Sequence, residues 1–298
     1  MTPIIHSLAQ VAPRYGALFC DLWGCLHNGV RAFPAAVAAL QAFRAGGGKV
    51  VLVTNAPRPK SSVVRQLERL GVPRDAWDEV ATSGDAAQHA LLSGAVGYRI
   101  HHIGPIEKDR AFFSDFADDL APLAAKAPPF EFVPLSQADG IVCTGPNDEE
   151  KDVPEDYRPQ FLLAKTMGLK LLCANPDLVV DYGDRRIYCA GALAELYDRM
   201  GGRSLYFGKP HPPIYDLARR RLATLDAAIG DGDILCVGDG IATDIAGGAA
   251  EGLDTLFVTG GLMADAFGPD SANPDKDLLG EWVAGQDHRP TLAIGQLR

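Results

Sequence analysis

The sequence predicts an α/β protein with a Rossmann-like parallel sheet, and two features of the chain indicate it. Short apolar segments typical of strands buried on both faces alternate with segments of helical periodicity. Strands and helices repeating in this order predict parallel βαβ units with right-handed crossovers. The middle of the chain departs from this rhythm, which indicates a second α/β unit inserted into the first.

The elements of the first part follow in a regular order. An apolar strand ends at Asp21, and Gly24 follows where the chain has to turn tightly. Pro34 suits the first turn of a helix, and the glycines at 46–48 end that helix. In order, we predict a strand over 17–20, a helix over 33–45, a strand over 49–54, a helix over 61–70 and a short strand ending at 82–84.

The middle of the chain is more polar. We predict strands over 98–103, 138–143 and 169–174, and a helix over 159–167 that follows a solvated loop over 145–158. From residue 204 the alternation of buried strands and helices resumes. We predict, in order, a strand over 205–207, a helix over 214–225, a strand over 233–237, a glycine-rich helix over 243–252, a strand over 255–258, a helix over 275–284 and a last strand over 291–294.

Composition excludes several classes of partner. The chain has 298 residues and a formal net charge of -10, without a lysine or arginine block. Nucleic acids and anionic membranes need clustered positive charge, so we expect neither as a partner. No segment reaches the ~20 apolar residues of a membrane span, and the N-terminal segment lacks the basic start of a signal peptide. We therefore expect a soluble cytoplasmic protein, and homo-oligomer formation stays open.

Cysteine usage agrees with a reducing compartment. The six cysteines form no CxxC pair and have no metal-finger spacing. Four of them, Cys20, Cys143, Cys173 and Cys236, lie in apolar segments predicted as strands. We therefore expect buried free thiols and no structural zinc.

Polar residues stand at four predicted strand ends. They are Asp21, the pair Thr54-Asn55, Lys209, and Asp239 with Asp244 five residues later. If these strands are neighbours in one parallel sheet, their carboxyl ends meet in one crevice. A carboxylate there could attack phosphorus, and a divalent cation held by Asp21 and Asp239 would let two anions approach each other. Lysine, a threonine hydroxyl and backbone N–H groups could hold phosphate oxygens.

These residues carry a family resemblance. The motifs D-x-x-G-x-L at 21–26, T-N at 54–55, G-K-P at 208–210 and G-D-x-x-x-T-D at 238–244 resemble, in order and spacing, the four motifs of the haloacid dehalogenase-like hydrolases. The insertion between the second and third motifs resembles the C2 cap of the NagD-like members, subfamily IIA. The segments 82–84, 175–177 and 191–193 are also similar to that class. The resemblance implies a core of residues 1–84 and 205–298 and an inserted α/β cap of C2 type over 85–204.

The resemblance also implies a role for each matching residue. Asp21 would be the nucleophile and a ligand of Mg²⁺, and Lys209 would neutralise both nucleophile and phosphate. The further Mg²⁺ ligands would be Asp239, Asp244 and the main-chain carbonyl of Trp23. Substrate and phosphate contacts would come from Trp23, Gly24, Thr54, Asn55, Lys209, Asn175 and Gly191. The implied activity is a magnesium-dependent phosphohydrolase that acts on a small phosphorylated metabolite, a sugar phosphate or nucleotide, through an aspartyl-phosphate at Asp21.

Trp23 departs from the family pattern, which usually has a second aspartate there as general acid and base. Indole has no proton to exchange near neutral pH, and loss of such a group typically costs ~10²–10⁴-fold in rate. Three explanations stay open: a substrate with a good leaving group, another donor such as His27, or poor turnover. His27 could equally be an exposed loop residue.

Two alternative functions follow from the same departure. One is a phosphometabolite-binding protein with little or no turnover. The other is a phosphonatase or dehalogenase. A phosphonatase would need a Schiff-base lysine, for which Lys108 is only a nominal candidate. The remaining polar residues are predicted to be structural: His211 and Arg219–Arg221 at the surface, and His101-His102 on an alternating strand face.

Overall fold

A computed structural model describes residues 2–182 and 185–298, and within 181–186 it describes no side chains. The chain divides into two compact units. The first contains Met1–Thr54, Val64–Ala81 and Lys209–Arg298, and the second contains Asn55–Val63 and Thr82–Gly208.

The strands are numbered in chain order. They are β1 (Ala17–Cys20), β2 (Lys49–Thr54), β3 (Glu79–Thr82), β4 (Arg99–Ile103), β5 (Glu131–Phe132), β6 (Gly140–Cys143), β7 (Lys170–Cys173), β8 (Val179–Tyr182), β9 (Arg185–Tyr188), β10 (Arg203–Tyr206), β11 (Ile234–Gly238), β12 (Asp254–Val258) and β13 (Leu292–Ile294).

The α-helices are numbered in the same way. They are α1 (Pro34–Ala45), α2 (Lys60–Arg69), α3 (Ser83–Leu92), α4 (Ile106–Asp109), α5 (Ala121–Ala124), α6 (Arg158–Thr166), α7 (Ala190–Arg199), α8 (Pro212–Leu225), α9 (Ala246–Ala250) and α10 (Lys276–Ala284). Short 3₁₀ segments lie at Leu8–Gln10, Ala12–Arg14, Arg74–Ala76, Arg110–Phe113, Leu135–Gln137, Pro154–Tyr157 and Asp231–Asp233. A π-helical turn, Ile241–Ile245, precedes α9.

A six-stranded sheet forms the centre of the first unit, in the order β13-β12-β11-β1-β2-β3. β1 pairs in parallel with both β11 and β2, so that Phe19 lies opposite Cys236 on one side and Val51 on the other. All four β1 residues are buried, as expected for a strand covered on both faces. Strand order reverses between β1 and β11, which makes their carboxyl ends the topological switch point of this sheet.

The second unit contains its own parallel sheet, in the order β10-β7-β6-β4-β5. All four pairings in it are parallel, and β8 and β9 form a separate antiparallel pair. The aromatic rings of Phe161 and Tyr197 pack 5.2 Å apart in the core of this unit. The two sheets confirm the predicted α/β class with a Rossmann-like parallel sheet.

Most predicted elements lie within two or three residues of the observed ones, and the exceptions have identifiable causes. One shared sheet for all four strand ends was the condition for a single crevice, and the strand before Lys209 does not meet it, because β10 pairs with β7 in the second unit. The helix predicted from residue 243 begins with the π-helical turn instead, because Ile245 donates from its backbone N–H to the Gly240 carbonyl. Helices α3, α4, α5 and α7 and strands β5, β8 and β9 were not predicted.

Three of the side chains predicted to lie at the surface, Arg221, Arg219 and His211, are buried or half-buried. Arg221 is only 4% exposed and donates from Nη1 to the Val80 carbonyl at 2.5 Å, so the predicted surface position was wrong. His101 and His102, predicted on an alternating strand face, are consecutive residues of β4 with separate partners. His101 Nδ1 lies 3.3 Å from the Val133 carbonyl, and His102 Nε2 lies close to Thr144 and Asp109.

The structure also bears on the cysteines and on membrane-spanning segments. All six cysteines are buried free thiols, and burial raises the pKa of each of them. Within 2–182 and 185–298, no helix combines the length and the apolar character that crossing a bilayer requires.

Candidate active site

Two buried aspartates stand side by side at the switch point of the first unit. Asp21 follows β1, and Asp239 follows the neighbouring strand β11. The backbone N–H of Asp21 continues the ladder by donating to the Val237 carbonyl at 2.8 Å. Asp21 is 8% exposed and Asp239 is 4% exposed, so both carboxylates lie in a setting of low dielectric.

Lys209 joins Asp21 to Asp244. Its Nζ donates to Oδ1 of Asp21 and to Oδ1 of Asp244, each at 2.6 Å. Burial alone would lower the pKa of Lys209, but the two carboxylates outweigh burial and raise the pKa well above its ordinary value. Lys209 reaches this position from the loop before α8.

The π-helical turn fixes Asp244. Oδ2 of Asp244 accepts hydrogen bonds from the Gly240 backbone N–H and the Thr243 hydroxyl, each at 3.2 Å. A Cβ on Gly238 would collide with the Asp244 side chain, so only glycine fits at that position. π-Helical turns occur often at functional sites, where the extra residue redirects a side chain.

Gly24 and Cys25 pack against Asp239. Gly24 has a φ of +71°, and a Cβ there would collide with the Asp239 carboxylate. Oδ2 of Asp239 accepts from the backbone N–H of Leu262 at 2.9 Å. One ligand atom each from Asp21, Asp239 and the buried Cys25 thiol lie within 4.8 Å of one another. Sequence analysis missed Cys25; its position four residues after the nucleophile candidate was the available signal.

The charges of this cluster are unbalanced. Burial raises the pKa of Asp21 well above its usual range, partly offset by Lys209. Burial, followed by the Asp244 charge, raises the pKa of Asp239 to about 7. Three carboxylates and one ammonium leave a formal charge of minus two, which a divalent cation would balance. Carboxylate oxygens are the donors that Mg²⁺ prefers, so the residues fit the metal that the family resemblance implies.

Trp23 and His27 form a ring pair beside this cluster. Their ring centroids lie 5.3 Å apart at an interplanar angle of 76°, and a Cβ on Gly29 would collide with the Trp23 indole. His27 is 1% exposed, so the alternative of an exposed loop histidine was wrong. Nδ1 of His27 accepts from the Gly29 backbone N–H at 3.1 Å, and burial lowers the pKa of His27 to about 4. A neutral imidazole at pH 7 does not favour His27 as proton donor.

Other predicted contact residues lie in the second unit, while Thr54 is buried at the end of β2 in the first. Nδ2 of Asn55 donates to Oδ1 of Asp177 at 2.8 Å, and the Asp177 backbone N–H donates to Oδ1 of Asn175 at 3.0 Å. A Cβ on Gly191 would collide with the Pro176 carbonyl. Asn55, Asn175 and Gly191 therefore belong to one local arrangement around the 175–177 loop.

Comparison with known proteins agrees with these motifs. A family model of haloacid dehalogenase-like hydrolases matches residues 18–115, and a related hydrolase-like model matches residues 206–278. A solved hydrolase of the haloacid dehalogenase-like family from Brucella suis 1330 is 39% identical, with a TM-score of 0.82 over 99% of this chain and 100% of that chain.

Two curated relatives are more distant. The 5′-nucleotidase YutF of Bacillus subtilis is 23% identical over 90% of this chain and 98% of its own length. The ribonucleotide monophosphatase NagD of Escherichia coli K12 is 24% identical over 83% of this chain and 88% of its own length. The chain is a member of the haloacid dehalogenase-like hydrolase family, in the NagD-like subfamily IIA that its motifs predict.

Proposed function

We propose that the protein is a magnesium-dependent phosphohydrolase that acts on a small phosphorylated metabolite through an aspartyl-phosphate at Asp21. The observation that carries the proposal is the Lys209 ammonium held between Asp21 and Asp244, next to Asp239 on the adjacent strand. This group combines a nucleophile, a cation for the phosphate and a set of carboxylates suited to a divalent ion. The names of the relatives, a 5′-nucleotidase and a ribonucleotide monophosphatase, support a phosphate ester as substrate.

The attacking atom would be Oδ2 of Asp21, because Oδ1 already accepts from Lys209. Oδ2 forms a bond to phosphorus while the bond between phosphorus and the leaving oxygen breaks. Water then attacks the acyl phosphate, which releases inorganic phosphate and restores the carboxylate. Lys209 and the Thr54 hydroxyl would hold phosphate oxygens during both steps.

Asp21, Asp239, Asp244 and the Trp23 carbonyl would hold the magnesium ion. When bound, the ion supplies positive charge that lets a carboxylate and a phosphate ester approach each other. The burial of these three carboxylates with a single ammonium between two of them supports this assignment.

We further propose that residues 85–204 act as the cap of a core formed by 1–84 and 205–298. Gly24 would present its backbone to the phosphate, and Asn55, Asn175 and Gly191 would contact the substrate. The hydrogen bond from Asn55 to Asp177 supports a role for the 175–177 loop, because it ties that loop to the residue after Thr54. Six buried thiols support a reducing, cytoplasmic location.

The decisive experiment measures phosphate release from a panel of phosphate esters with Mg²⁺. Asp21→Asn preserves side-chain shape and removes the nucleophile, so we expect no release above background. Asp287→Asn, an exposed aspartate in the same unit, is the matched control and keeps wild-type activity. Wild-type rates in Asp21→Asn would contradict the proposal.

A second candidate function is tight binding of a phosphometabolite without turnover. The observation that favours it is the indole of Trp23, which occupies the place of the missing acid and packs on His27. Saturable binding of phosphate esters with no release from any of them would support this candidate. A phosphonatase is not favoured, because Lys108 is exposed and paired with Glu149.

A further inference from the structure

The second unit has a topological switch point of its own. β4 is the first strand of its sheet, and it lies between β5 on one side and β6 on the other. Strand order therefore reverses between β4 and β6, whose last residues Ile103 and Cys143 lie opposite each other. In open parallel sheets, ligands bind in the crevice beyond the carboxyl ends at this point.

A crevice occupies this position. Its volume is about 840 Å³, within the range of small-molecule sites. The polar part of its lining contains His102 and Gly104 at the end of β4, and Asn147 beyond β6. Oδ1 of Asn147 accepts from the Gly104 backbone N–H at 2.9 Å, and a Cβ on Gly104 would collide with the Thr144 hydroxyl. The two strand ends are thus held close together at the base of the crevice.

His102 presents a single unused acceptor. The side chain is 6% exposed, and Nε2 lies 3.1 Å from the Thr144 hydroxyl and 3.2 Å from Oδ2 of Asp109. The Thr144 hydroxyl donates its proton to Asp109 at 2.5 Å, and a carboxylate can only accept, so Nε2 must carry a hydrogen. Nδ1 makes no hydrogen bond with any residue in the described part of the chain. In the neutral imidazole, Nδ1 is then an acceptor on a residue that lines the crevice.

Aromatic residues adjoin His102 in the lining of the crevice. Phe113 packs edge-on against His102, with ring centroids 5.1 Å apart, and against Phe132, with centroids 4.9 Å apart. Phe132 lines the crevice and is 52% exposed, although it belongs to the sheet. An exposed aromatic face next to a buried hydrogen-bond acceptor suits a planar ring that carries an amino group.

We propose that this crevice binds the base of an amino-substituted purine nucleoside or nucleotide. The base would stack on Phe132, and its exocyclic amino group would donate to Nδ1 of His102. The proposal uses only residues of the second unit that lie outside the Asp21 cluster. It therefore stands or falls independently of the proposed phosphatase activity.

Adenosine is the probe, because it has no phosphate and cannot be turned over at Asp21. Its binding to the full chain is measured by titration calorimetry and compared with purine riboside, which differs only in lacking the amino group. We expect saturable adenosine binding that excess inorganic phosphate leaves unchanged. Purine riboside should bind about tenfold more weakly, as expected for one lost hydrogen bond.

Two variants test the two contacts. Phe132→Ala removes an exposed ring and should weaken adenosine about tenfold or more, the usual effect of losing a stacking partner. His102→Phe keeps the ring contact with Phe113 and leaves the Thr144–Asp109 hydrogen bond intact, and it should make adenosine and purine riboside bind equally. Leu162→Ala, an exposed apolar residue of the same unit outside the crevice, is the matched control and should bind like wild type.

Three results would overturn the proposal. One is the lack of saturable adenosine binding at millimolar concentration. Another is competition by inorganic phosphate, which would place adenosine at the Asp21 cluster. The last is equal binding of adenosine and purine riboside by wild type. That result would exclude the hydrogen bond from the amino group to His102, and with it an amino-substituted purine as the ligand class.

Discussion

Lys209 donates a hydrogen bond of 2.6 Å to Asp21, a residue 188 positions earlier in the chain. The same ammonium holds Asp244, so one cation serves two buried carboxylates. Removing one member of a buried ion pair leaves an uncompensated charge, which commonly costs 3–5 kcal/mol. The stability of this unit therefore depends on the group that we assign to phosphate binding.

Lys209→Met should lower the free energy of unfolding by about 3–5 kcal/mol at pH 7.5 in the absence of Mg²⁺. Adding Asp21→Asn to this variant removes one of the two unpaired carboxylate charges. The free energy of unfolding of the double variant should therefore exceed that of Lys209→Met by more than about 1 kcal/mol. Urea unfolding of the two single variants and the double variant measures the coupling. Lys276→Met, an exposed lysine of the same unit, is the control. Additive effects of Lys209→Met and Asp21→Asn would contradict the pairing.

Trp23→Asp should raise the rate of phosphate release if the indole occupies a vacant acid position. General acid catalysis contributes ~10²–10⁴-fold, so a gain of at least tenfold is expected for esters with poor leaving groups. Trp23→Asn is the matched control, because it has the same shape without an exchangeable carboxyl proton. Equal rates in the two variants would show that the gain comes from space beside His27 and not from proton transfer.

Gly24→Ala should impair both stability and Mg²⁺-dependent activity. The left-handed φ of +71° strains any side chain, and the new Cβ would displace the Asp239 carboxylate. Gly71→Ala isolates the first effect, because Gly71 has a φ of +76° with no atom within 4 Å of its Cβ position. We expect Gly71→Ala to lower the free energy of unfolding by about 1–2 kcal/mol and to leave the rate of phosphate release unchanged. A fully active Gly24→Ala variant would contradict the close contact with Asp239.

Local patterns predicted most of the first unit. The apolar segments before Asp21 and Asp239 have one pattern because each strand is buried on both faces, and such strands end where the chain turns polar. The parallel pairing of these two strands, β1 and β11, is what the alternation of strands and helices predicts. The sequence could therefore predict that Asp21 and Asp239 lie at the same edge of one sheet.

These local patterns do not predict which strands pair when the strands are distant in the sequence. The apolar segment before Lys209 has the composition of any buried strand, and nothing local indicates that it pairs with β7. Arg221 and His102 show the same limit, because burial of a polar side chain depends on partners distant in the sequence. Val80 lies 141 positions from Arg221, and Thr144 lies 42 positions from His102. The π-helical turn at Asp244 also depends on packing that helical periodicity does not encode.

His27 should make the protein less stable as the pH falls. Burial lowers its pKa from 6.5 to about 4, so the unfolded chain binds a proton before the folded chain does. Above pH 6.5 both states are neutral and His27 adds no pH dependence. Between pH 6.5 and 5 the unfolded state gains about 2 kcal/mol from protonation, and the effect levels off below pH 4.

His27→Asn tests this, because the amide oxygen can still accept from the Gly29 N–H while the titratable ring is gone. At pH 7.5 the variant should be less stable than wild type, since it loses the ring contact with Trp23. At pH 5 the difference should shrink by about 2 kcal/mol, because only wild type suffers the protonation penalty. Urea unfolding of both proteins from pH 7.5 to 4.5 measures the difference. A difference that stays constant over this range would mean that His27 titrates normally, and would restore it as a candidate proton donor.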